Sequence, residues 1–536
     1  MKAVEDVVDA SEARKQLSGD RITVGLATCG ISAGGIPVLD KLRQSKLGIL
    51  VESVGCSGMC YNEPVVTVRQ NGIYSIYSKV TSENVSELIK SIRQGKVNKK
   101  MLSGHSLTDI DYYKKQRRLV MENCGLIDPT SLEQYVACGG FSGLEKALQM
   151  SPQEVIATVD KSNLRGRGGA FPTGKKWAMM ASHSGKKYII CNGNEGDPGA
   201  FMNRVLLESD PYKVLEGMLI AAYAIGSDEA YIYVRAEYPL AIKTCEEAIN
   251  RLKRKGLLGR NILGKDGFNL DIIMKKGAGA FVCGEETSLI NSVMGNRGYP
   301  TSKPPYPTDK GLWGLPTNVN NVDTLGNVTT IFKIGVDEYT KVGTDKTKGT
   351  KTICLVGKLN RTGVVEVPFG VTLREFIYDI GGGMPKGTKL KAVQSGGPSG
   401  VCIPASQIDK PLDYDILPFG SGGFIVLSDR DCMVEMSRYF LDFTRQESCG
   451  KCTPCREGNT RLLELLEKIT GGTATENDLN MIMKLSTFIK DTSLCGLGQA
   501  APSPVLSTME NFMGEYRDHV LKKRCAAGVC KFKDIK

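Results

Sequence analysis

The sequence predicts a multidomain chain of mixed α/β and α+β architecture that closes in an all-helical bundle. Three observations carry this reading. Short apolar runs alternate with amphipathic helical segments in three successive stretches, each with its own turn punctuation. From Asp431 onward the apolar spacing turns purely helical. Finally, 536 residues with 41% hydrophobic and 24% charged side chains are ordinary globular composition. At roughly 100–200 residues per domain, that length holds three to five domains.

Residues 1–95 form the first unit, of thioredoxin-like size. RITVGLATC reads as a strand, residues 37–45 as a helix and LGILVESVGC as a second strand. EPVVTV and GIYSIYS read as a hairpin, and SENVSELIKSIRQG as an amphipathic helix. Residues 96–160 are polar and helical with frequent turns, a linker expected to lie on the next domain. Residues 161–345 are glycine-rich, with strands KYIICN and AYIYVRA and the helix YPLAIKTCEEAINRLKRKG, a Rossmann-like pattern. Residues 346–428 open on TICLVGKL, continue through TLREFIYDIG and GG turns, and read as a β-grasp (ubiquitin-like) unit. Residues 429–520 hold MVEMSRYFLDF, NTRLLELLEKIT and ENDLNMIMKLSTFI, the spacing of a four-helix bundle, and 521–536 form a cysteine-containing tail.

Charge and composition exclude several functions. The net charge of +11 comes from 69 basic and 58 acidic residues spread along the chain. No basic run resembles a nucleic-acid-binding tail, so the excess favours an acidic partner protein. No stretch approaches the roughly 18 apolar residues of a membrane span. The start, MKAVEDVVDASEARKQ, lacks the apolar stretch of a signal peptide, and a cytoplasmic protein is expected. Seventeen cysteines, an odd number, then point to metal rather than to a disulfide framework.

ESCGKCTPCREG places Cys449, Cys452 and Cys455 in C-x2-C-x2-C spacing, and Cys495 follows in DTSLCGLG. Two-residue gaps let one loop reach three corners of a cubane and a distant cysteine close the fourth, which predicts a [4Fe–4S] cluster. Zinc knuckles use paired cysteines with one gap each, a poorer match. LRGRGGAFPTGKKW surrounds Arg167 and Lys175 with Gly166, Gly168, Gly169 and Gly174. Glycines admit an anion to backbone N–H groups and the cations neutralise phosphate. The loop fits neither a Walker nor a Rossmann fingerprint, and alone it reads equally as a connecting turn. It is followed by CNGNEGDPGAF with Asn192, Asn194, Glu195, Asp197 and Phe201. GAGAFVCGEETSL adds Gly284, Glu285 and Glu286, SKPPYP adds Lys303, and PTNVNNVDT adds Asn320, Asn321 and Thr324. Amides suit a flavin ring and carboxylates suit ribose hydroxyls.

These motifs together make the sequence resemble the NADH-oxidising flavoprotein subunit of respiratory NADH dehydrogenase, the 51-kDa type. It resembles still more closely the β subunits of NAD-linked [FeFe]-hydrogenases. The resemblance covers nearly the whole chain through GRGG…FPTG, NEGDPG, GEET…KPP, VNN and SCGKCxPCR. It implies FMN beneath an NADH site, with Gly166, Arg167, Gly168, Lys175, Asn192, Asn194, Glu195, Gly284, Glu285, Glu286, Asn320, Asn321 and Thr324 around the flavin. Asp197, Phe171, Phe201, Lys303 and Tyr306 would hold NADH, and Cys449, Cys452, Cys455 and Cys495 the cluster. Two departures stand out: the glycine loop is one residue shorter than the family's G-R-G-G-x-G-F-P, and Asn194 stands where the family has Asp.

The first unit resembles thioredoxin-like [2Fe–2S] domains, whose ligands are C-x4-C and C-x3-C. Cys56 and Cys60 supply the second pair, but Cys29 has Val24 where its partner belongs. Either a non-cysteine ligand completes the cluster or the fold is empty and serves docking. At the other end, Cys432, His519, Cys525 and Cys530 make a Cys3His set suited to structural zinc, the alternative being a frayed tail with surface thiols.

The expected function is an NADH:acceptor oxidoreductase subunit passing electrons between NAD(H), FMN and the [4Fe–4S] cluster inside a multisubunit hydrogenase. Its expected partners, by resemblance, are a small thioredoxin-like iron–sulfur subunit and a catalytic subunit carrying a hydrogenase or formate dehydrogenase site, in a hetero-oligomer. The alternatives are the NADH-side subunit of a formate dehydrogenase or a respiratory complex, and a flavin-free relay subunit. Asp197 and Glu286 near the ribose would repel a 2′-phosphate and favour NAD over NADP.

Overall fold

The computed structural model describes residues 2–417 and 419–532. Its first sheet contains β1 (Arg21–Gly25), β2 (Leu50–Val54), β3 (Val66–Gln70), β4 (Ile73–Tyr77) and β5 (Leu102–Gly104), in the order β2-β1-β3-β4-β5. β1 and β2 are parallel, joined through the helices Thr28–Ser32 and Gly35–Gln44, as a parallel pair requires. β3 and β4 form the expected hairpin. Its turn is Asn71-Gly72, both at positive φ (52° and 75°), the backbone that an Asn-Gly pair accepts most easily.

β5 lies past residue 95, so the first sheet takes its edge from the stretch expected to be linker. That stretch is not polar throughout. Val120, Ile127, Phe141 and Leu144 are fully or almost fully buried in the largest apolar core, together with Val4 and Val8 from the start of the chain. Val120 and Ile127 stand among turns, where no periodic run reveals them, whereas Leu144 belongs to the buried face of the helix Ser142–Leu148.

The central sheet contains β6 (Tyr188–Gly193), β7 (Glu229–Arg235), β8 (Asp271–Gly277) and β9 (Thr317–Asn321), all parallel, in the order β8-β7-β6-β9. Both faces are covered, which is why these strands read as continuous apolar runs. Ile189, Cys191, Ala230 and Ile232 face the large core with the helices Pro211–Ile225, Pro239–Arg254 and Val322–Ile334. Tyr188, Ile190, Tyr231 and Tyr233 face the opposite way, toward the helix Glu286–Val293 and the cysteine loop. The helix Pro239–Arg254 illustrates the local logic. Proline occupies its first turn, Arg251, Lys253 and Arg254 complement the carboxyl end, and Ala241, Cys245, Ala248 and Leu252 bury one face. Because β7 lies on one side of β6 and β9 on the other, a crevice opens between the carboxyl ends of β6 and β9.

A third sheet holds β10 (Thr350–Gly357), β11 (Gly363–Pro368), β12 (Leu390–Ser395), β13 (Val401–Pro404) and β14 (Gly423–Ser428), in the order β11-β10-β14-β12-β13. β10 and β14 are parallel and the other pairs antiparallel. The helical turn Glu375–Ile380 buries Phe376, Ile377 and Ile380 against it. Four long helices follow, Met433–Gln446, Asn459–Thr470, Glu476–Thr492 and Ser503–Leu521, with the short helix Gly496–Ala500 before the last, packed around Leu441, Leu462, Leu466, Ile482 and Tyr516. Among the described residues no helix is long and apolar enough to cross a membrane.

Candidate functional site

The crevice at the end of β6 and β9 widens into a cleft of about 940 Å³. Three helices start at its wall, Thr173–Ala181, Glu286–Val293 and Val322–Ile334, contributing Thr173, Glu286 and Thr324. Helix amino ends carry partial positive charge, and that of Thr173–Ala181 has no side-chain cap, so this end suits an anion. Gly166, Gly168 and Gly169 form one rim, beside Phe171. Glycine suits position 168, because a Cβ there would crowd Asn321 Cβ at 3.3 Å. The turn closes on itself through Gly166 N–H to Phe171 O (2.8 Å) and Ala170 N–H to Gly166 O (2.8 Å). The shortened loop therefore still presents its glycines to the cleft.

Asn192 at the end of β6 donates to Gly284 O (3.0 Å), tying the first amide segment to the second. Asn320 accepts from Trp177 Nε1 (3.1 Å), Asn321 caps the helix Val322–Ile334 through Asp323 N–H (2.9 Å), and Thr324 Oγ1 accepts from Arg167 N–H (2.9 Å). Across the cleft, Glu285 caps the helix Glu286–Val293 by accepting from Thr287 and Ser288 N–H. Lys303 Nζ lies 2.9 Å from Glu285 and 2.7 Å from Glu286. Burial opposes ionisation of Glu286, yet Lys176 and Lys303 hold its carboxyl below the ordinary range. Tyr306 stands half exposed on the outer wall.

Six expected contacts take other places. The Arg167 side chain, 1% exposed, turns away from the cleft, donating to Arg165 O, Tyr339 OH and Lys348 O and stacking over Phe369 at 4.8 Å. Lys175 is exposed and outside the cleft; its neighbour Lys176 lines it, bonding Val319 O (2.9 Å) and Glu286 (3.3 Å). Asn194 braces Ala280 O (3.2 Å) behind Gly284. The Glu195 carboxylate caps the helix Met202–Ser209 through Asn203 and Arg204 N–H (2.7 and 2.9 Å), and burial pushes it up to about 7. Asp197 accepts from Ser421 Oγ and from Gly199 N–H (2.9 Å), facing the third sheet, with burial pushing its carboxyl up. Phe201 donates its N–H to Cys354 Sγ (3.0 Å) and lies under Arg204. The electrostatic preference for NAD therefore falls: Asp197 is occupied elsewhere and two lysines neutralise Glu286.

The cleft leaves polar atoms in want of a ligand. Thr173 Oγ1 and Thr308 Oγ1 on its wall and Asn194 Oδ1 behind it are buried without a hydrogen-bond partner, and such atoms carry a cost unless something bonds them. The residues thus fit a phosphate-bearing, hydrogen-bonding ring system. Lys176, Thr173 and Thr308 do not stand out in the sequence; only the helix phase after Pro172 separates Lys176 from Lys175.

Leu494, Cys495, Gly496 and Gln499 complete the cleft wall, so the cysteine centre borders it directly. Cys449, Cys452, Cys455 and Cys495 gather against Val282, Leu289 and Leu497 under the central sheet. Burial pushes the Cys455 thiol up to about 11, and its three sister sulfurs push the same way. Sulfurs so arranged become thiolates together only with a cation among them. The loop is fastened to the cleft: Glu447 accepts from Phe281 N–H (2.7 Å) and Lys451 donates to Pro300 O (2.8 Å).

Two further clusters assemble. Cys432, His519, Cys525 and Cys530 lie with their ligand atoms within 4.8 Å of one another. His519 Nε2 is 3.5 Å from Cys432 Sγ and 3.4 Å from Cys530 Sγ, and its Nδ1 meets Glu515 O at 2.7 Å. A carbonyl on the second ring nitrogen is the usual support of a metal-ligating histidine. The thiol of Cys530 brings Cys432 down to about 4 against burial, with His519 adding to the effect. Cys29, Cys56 and Cys60 form the second cluster.

Helix amino ends, asparagine amides and one cysteine of the four-cysteine centre border one cleft, a combination that suits an electron-transferring flavoprotein. Residues 159–330 match the model of the Nuo51 FMN-binding domain, and residues 435–519 that of the NADH-ubiquinone oxidoreductase-F iron–sulfur binding region. The chain is 52% identical over 424 residues to NADP-reducing hydrogenase subunit HndC of Solidesulfovibrio fructosivorans, covering 78% of this chain and 86% of that one. It is 47% identical to an NADH-quinone oxidoreductase subunit of Aquifex aeolicus, covering 73% and 91%. A crystal structure of NAD+-reducing [NiFe]-hydrogenase in the H2-reduced state superposes with a TM-score of 0.68 at 29% identity, over 94% of this chain and 84% of that one. The chain belongs to the 51-kDa-type flavoprotein family, with an FMN-binding domain and a [4Fe–4S] region, found in NADH-quinone oxidoreductases and NAD(P)-reducing hydrogenases.

Proposed function

We propose that this chain is the nicotinamide-nucleotide-side subunit of a multisubunit hydrogenase, exchanging electrons between NAD(H) and its [4Fe–4S] cluster. The observation that carries the proposal is Cys495, a residue of both the cofactor cleft and the cysteine centre. Bound FMN would supply the conversion between hydride transfer and single-electron steps. The chain's residues do the rest. The uncapped amino end of the helix Thr173–Ala181 and Lys176 attract the phosphate, Asn192, Asn320 and Asn321 offer amides to the ring system, and Lys303 with Glu285 and Glu286 shapes the outer mouth for the nucleotide. Gly166, Gly168 and Gly284 keep the floor open. Thr324 fixes the glycine loop, and Phe171 and Tyr306 offer exposed rings for stacking. Arg167, Asn194, Glu195, Asp197 and Phe201 act as positioning residues behind the cleft.

The reading extends to the domains: residues 1–95 with the edge strand Leu102–Gly104 of thioredoxin-like [2Fe–2S] type, 161–345 Rossmann-like, 346–428 of β-grasp type, and 429–520 a four-helix bundle carrying the cluster on Cys449, Cys452, Cys455 and Cys495. Structural zinc on Cys432, His519, Cys525 and Cys530 would pin the tail to the bundle. A small thioredoxin-like iron–sulfur subunit and a catalytic hydrogenase subunit would complete a cytoplasmic hetero-oligomer; relatives named as subunits of hydrogenases and of quinone oxidoreductases support an assembly of this kind.

Anaerobic purification followed by flavin, iron and sulfide analysis and NADH-dependent dye reduction tests the proposal. About one FMN with at least four irons and dye reduction is the expected result. Iron without flavin, persisting after FMN is offered, would leave a relay subunit instead.

A further inference from the structure

The three-cysteine cluster of the first unit lacks one donor. Resting on the [2Fe–2S]-type reading of that unit, we infer that Glu63 is the missing ligand, a carboxylate completing a Cys3Glu metal centre with Cys29, Cys56 and Cys60.

Val24, where the four-cysteine pattern has its first thiol, is wholly buried in the apolar core of the first sheet with Ile22 and Val66, and its side chain is spent on packing. Glu63 comes from the other side. Its Oε1 lies 3.7 Å from Cys29 Sγ, and Cys56 Sγ lies 3.7 Å from Cys60 Sγ. Ligands at roughly 2.0–2.3 Å in a tetrahedron about one metal are separated by about 3.5–3.8 Å. Each pair thus spans one edge of such a tetrahedron, and the three sulfurs lie within 4.8 Å of one another.

The carboxylate is only 8% exposed. Among the described residues no lysine or arginine pairs with it. A buried charge is either paired or bound to metal. Its second oxygen is fixed by Val65 N–H at 2.8 Å, which leaves Oε1 free for a ligand. Room for it is made by glycine: a Cβ on Gly25 would stand 3.0 and 3.1 Å from the two oxygens, and one on Gly30 would stand 3.3 Å from Oε2. The carboxylate also brings the same single negative charge as the thiolate it replaces, so the charge of the ligand set is unchanged. The centre is held against the central unit, with Glu208 accepting from Thr28 N–H (2.8 Å) and Oγ1 (2.6 Å) and Ser209 Oγ accepting from Cys56 N–H (2.9 Å).

The test uses full-length protein purified anaerobically, comparing wild type with Glu63→Gln and Glu63→Cys by iron, zinc and sulfide analysis and by EPR after reduction. The wild type should carry about six irons, two of them in the binuclear centre. Glu63→Gln should lose about two irons while its FMN and [4Fe–4S] signal stay intact. Glu63→Cys should keep all six and shift the binuclear g-values to those of an all-thiolate cluster. Iron content and EPR signal unchanged in both variants would overturn Glu63 as ligand and leave the domain reading standing. About four irons in the wild type, with no metal lost on Cys56→Ser, would overturn both. A zinc in place of two irons, lost in Glu63→Gln, would keep Glu63 as ligand and overturn the cluster.

Discussion

Replacing Cys530 by Ser should destabilise the C-terminal bundle far beyond what the exchanged atom contacts. Cys530 sits half-buried on an irregular tail, where a sulfur-to-oxygen swap costs under about 1 kcal/mol in packing. As a metal ligand it closes the chain back onto Cys432, 98 residues earlier. Cross-linking a loop of about 100 residues removes on the order of 4.7 kcal/mol of denatured-state entropy. The three remaining ligands retain part of this, so a loss of about 2–4 kcal/mol is expected. At about 4–8 °C per kcal/mol for a unit of 60–100 residues, the bundle transition should fall by roughly 8–32 °C. Calorimetry of the full chain, with zinc quantified alongside, reads this directly. Chelator-treated wild type should melt with the variant, and the variant should no longer respond to chelator. A variant that melts within about 3 °C of wild type, or keeps its zinc, would refute the cross-link.

Three further outcomes follow from the cleft and its supports. Lys176→Met removes one of the two ammonium groups that balance Glu286; at about 8 Å and an effective dielectric near 20, the lost attraction for an anion is about 2 kcal/mol. KM for NADH or retention of FMN should worsen about 10–30-fold with kcat within about threefold, and a fall in kcat alone would count against this role. Glu195, held at about 7 against an ordinary 4.5, is deprotonated first in the unfolded chain. Its native state is thus favoured at low pH and loses stability as pH rises from about 4.5 to 7, by on the order of 3 kcal/mol. Glu195→Gln should flatten the decline of melting temperature across that window, and an unchanged slope would disprove it. Asn320→Leu leaves the buried Trp177 N–H without its acceptor and should cost about 1–3 kcal/mol by thermal denaturation. Adding Trp177→Phe should then cost less than it does in wild type, and strict additivity would dismiss the coupling.

The cysteine centres are the most legible part of the sequence, because ligand spacing in one loop is local information. Cys525 and Cys530 also find Cys432, since so few histidines leave His519 as an obvious partner. Side-chain direction is not legible. Arg167 reads as a phosphate cation beside its glycines, but its guanidinium is claimed by Tyr339, 172 residues away. Asp197 reads as a nucleotide ligand, but Ser421 claims it from 224 residues away. Adjacent residues on a helix point about 100° apart, so choosing Lys176 over Lys175 needs the helix phase that only packing fixes. The segment 96–160 misleads for a related reason: its short helices do carry periodic buried faces, such as Leu144, Ala147 and Leu148 or Val155, Ile156 and Val159, but what those faces pack against is fixed only in three dimensions.

The bonds from Glu447 to Phe281 N–H and from Lys451 to Pro300 O fasten the cysteine loop to the walls of the cleft. What they fix is a length. Electron tunnelling weakens steeply with separation, so the gap between cleft and cluster acts as a gauge for the rate of exchange, set inside a single chain. A partner tugging on the outer helices would strain these two fastenings before it widened the gap.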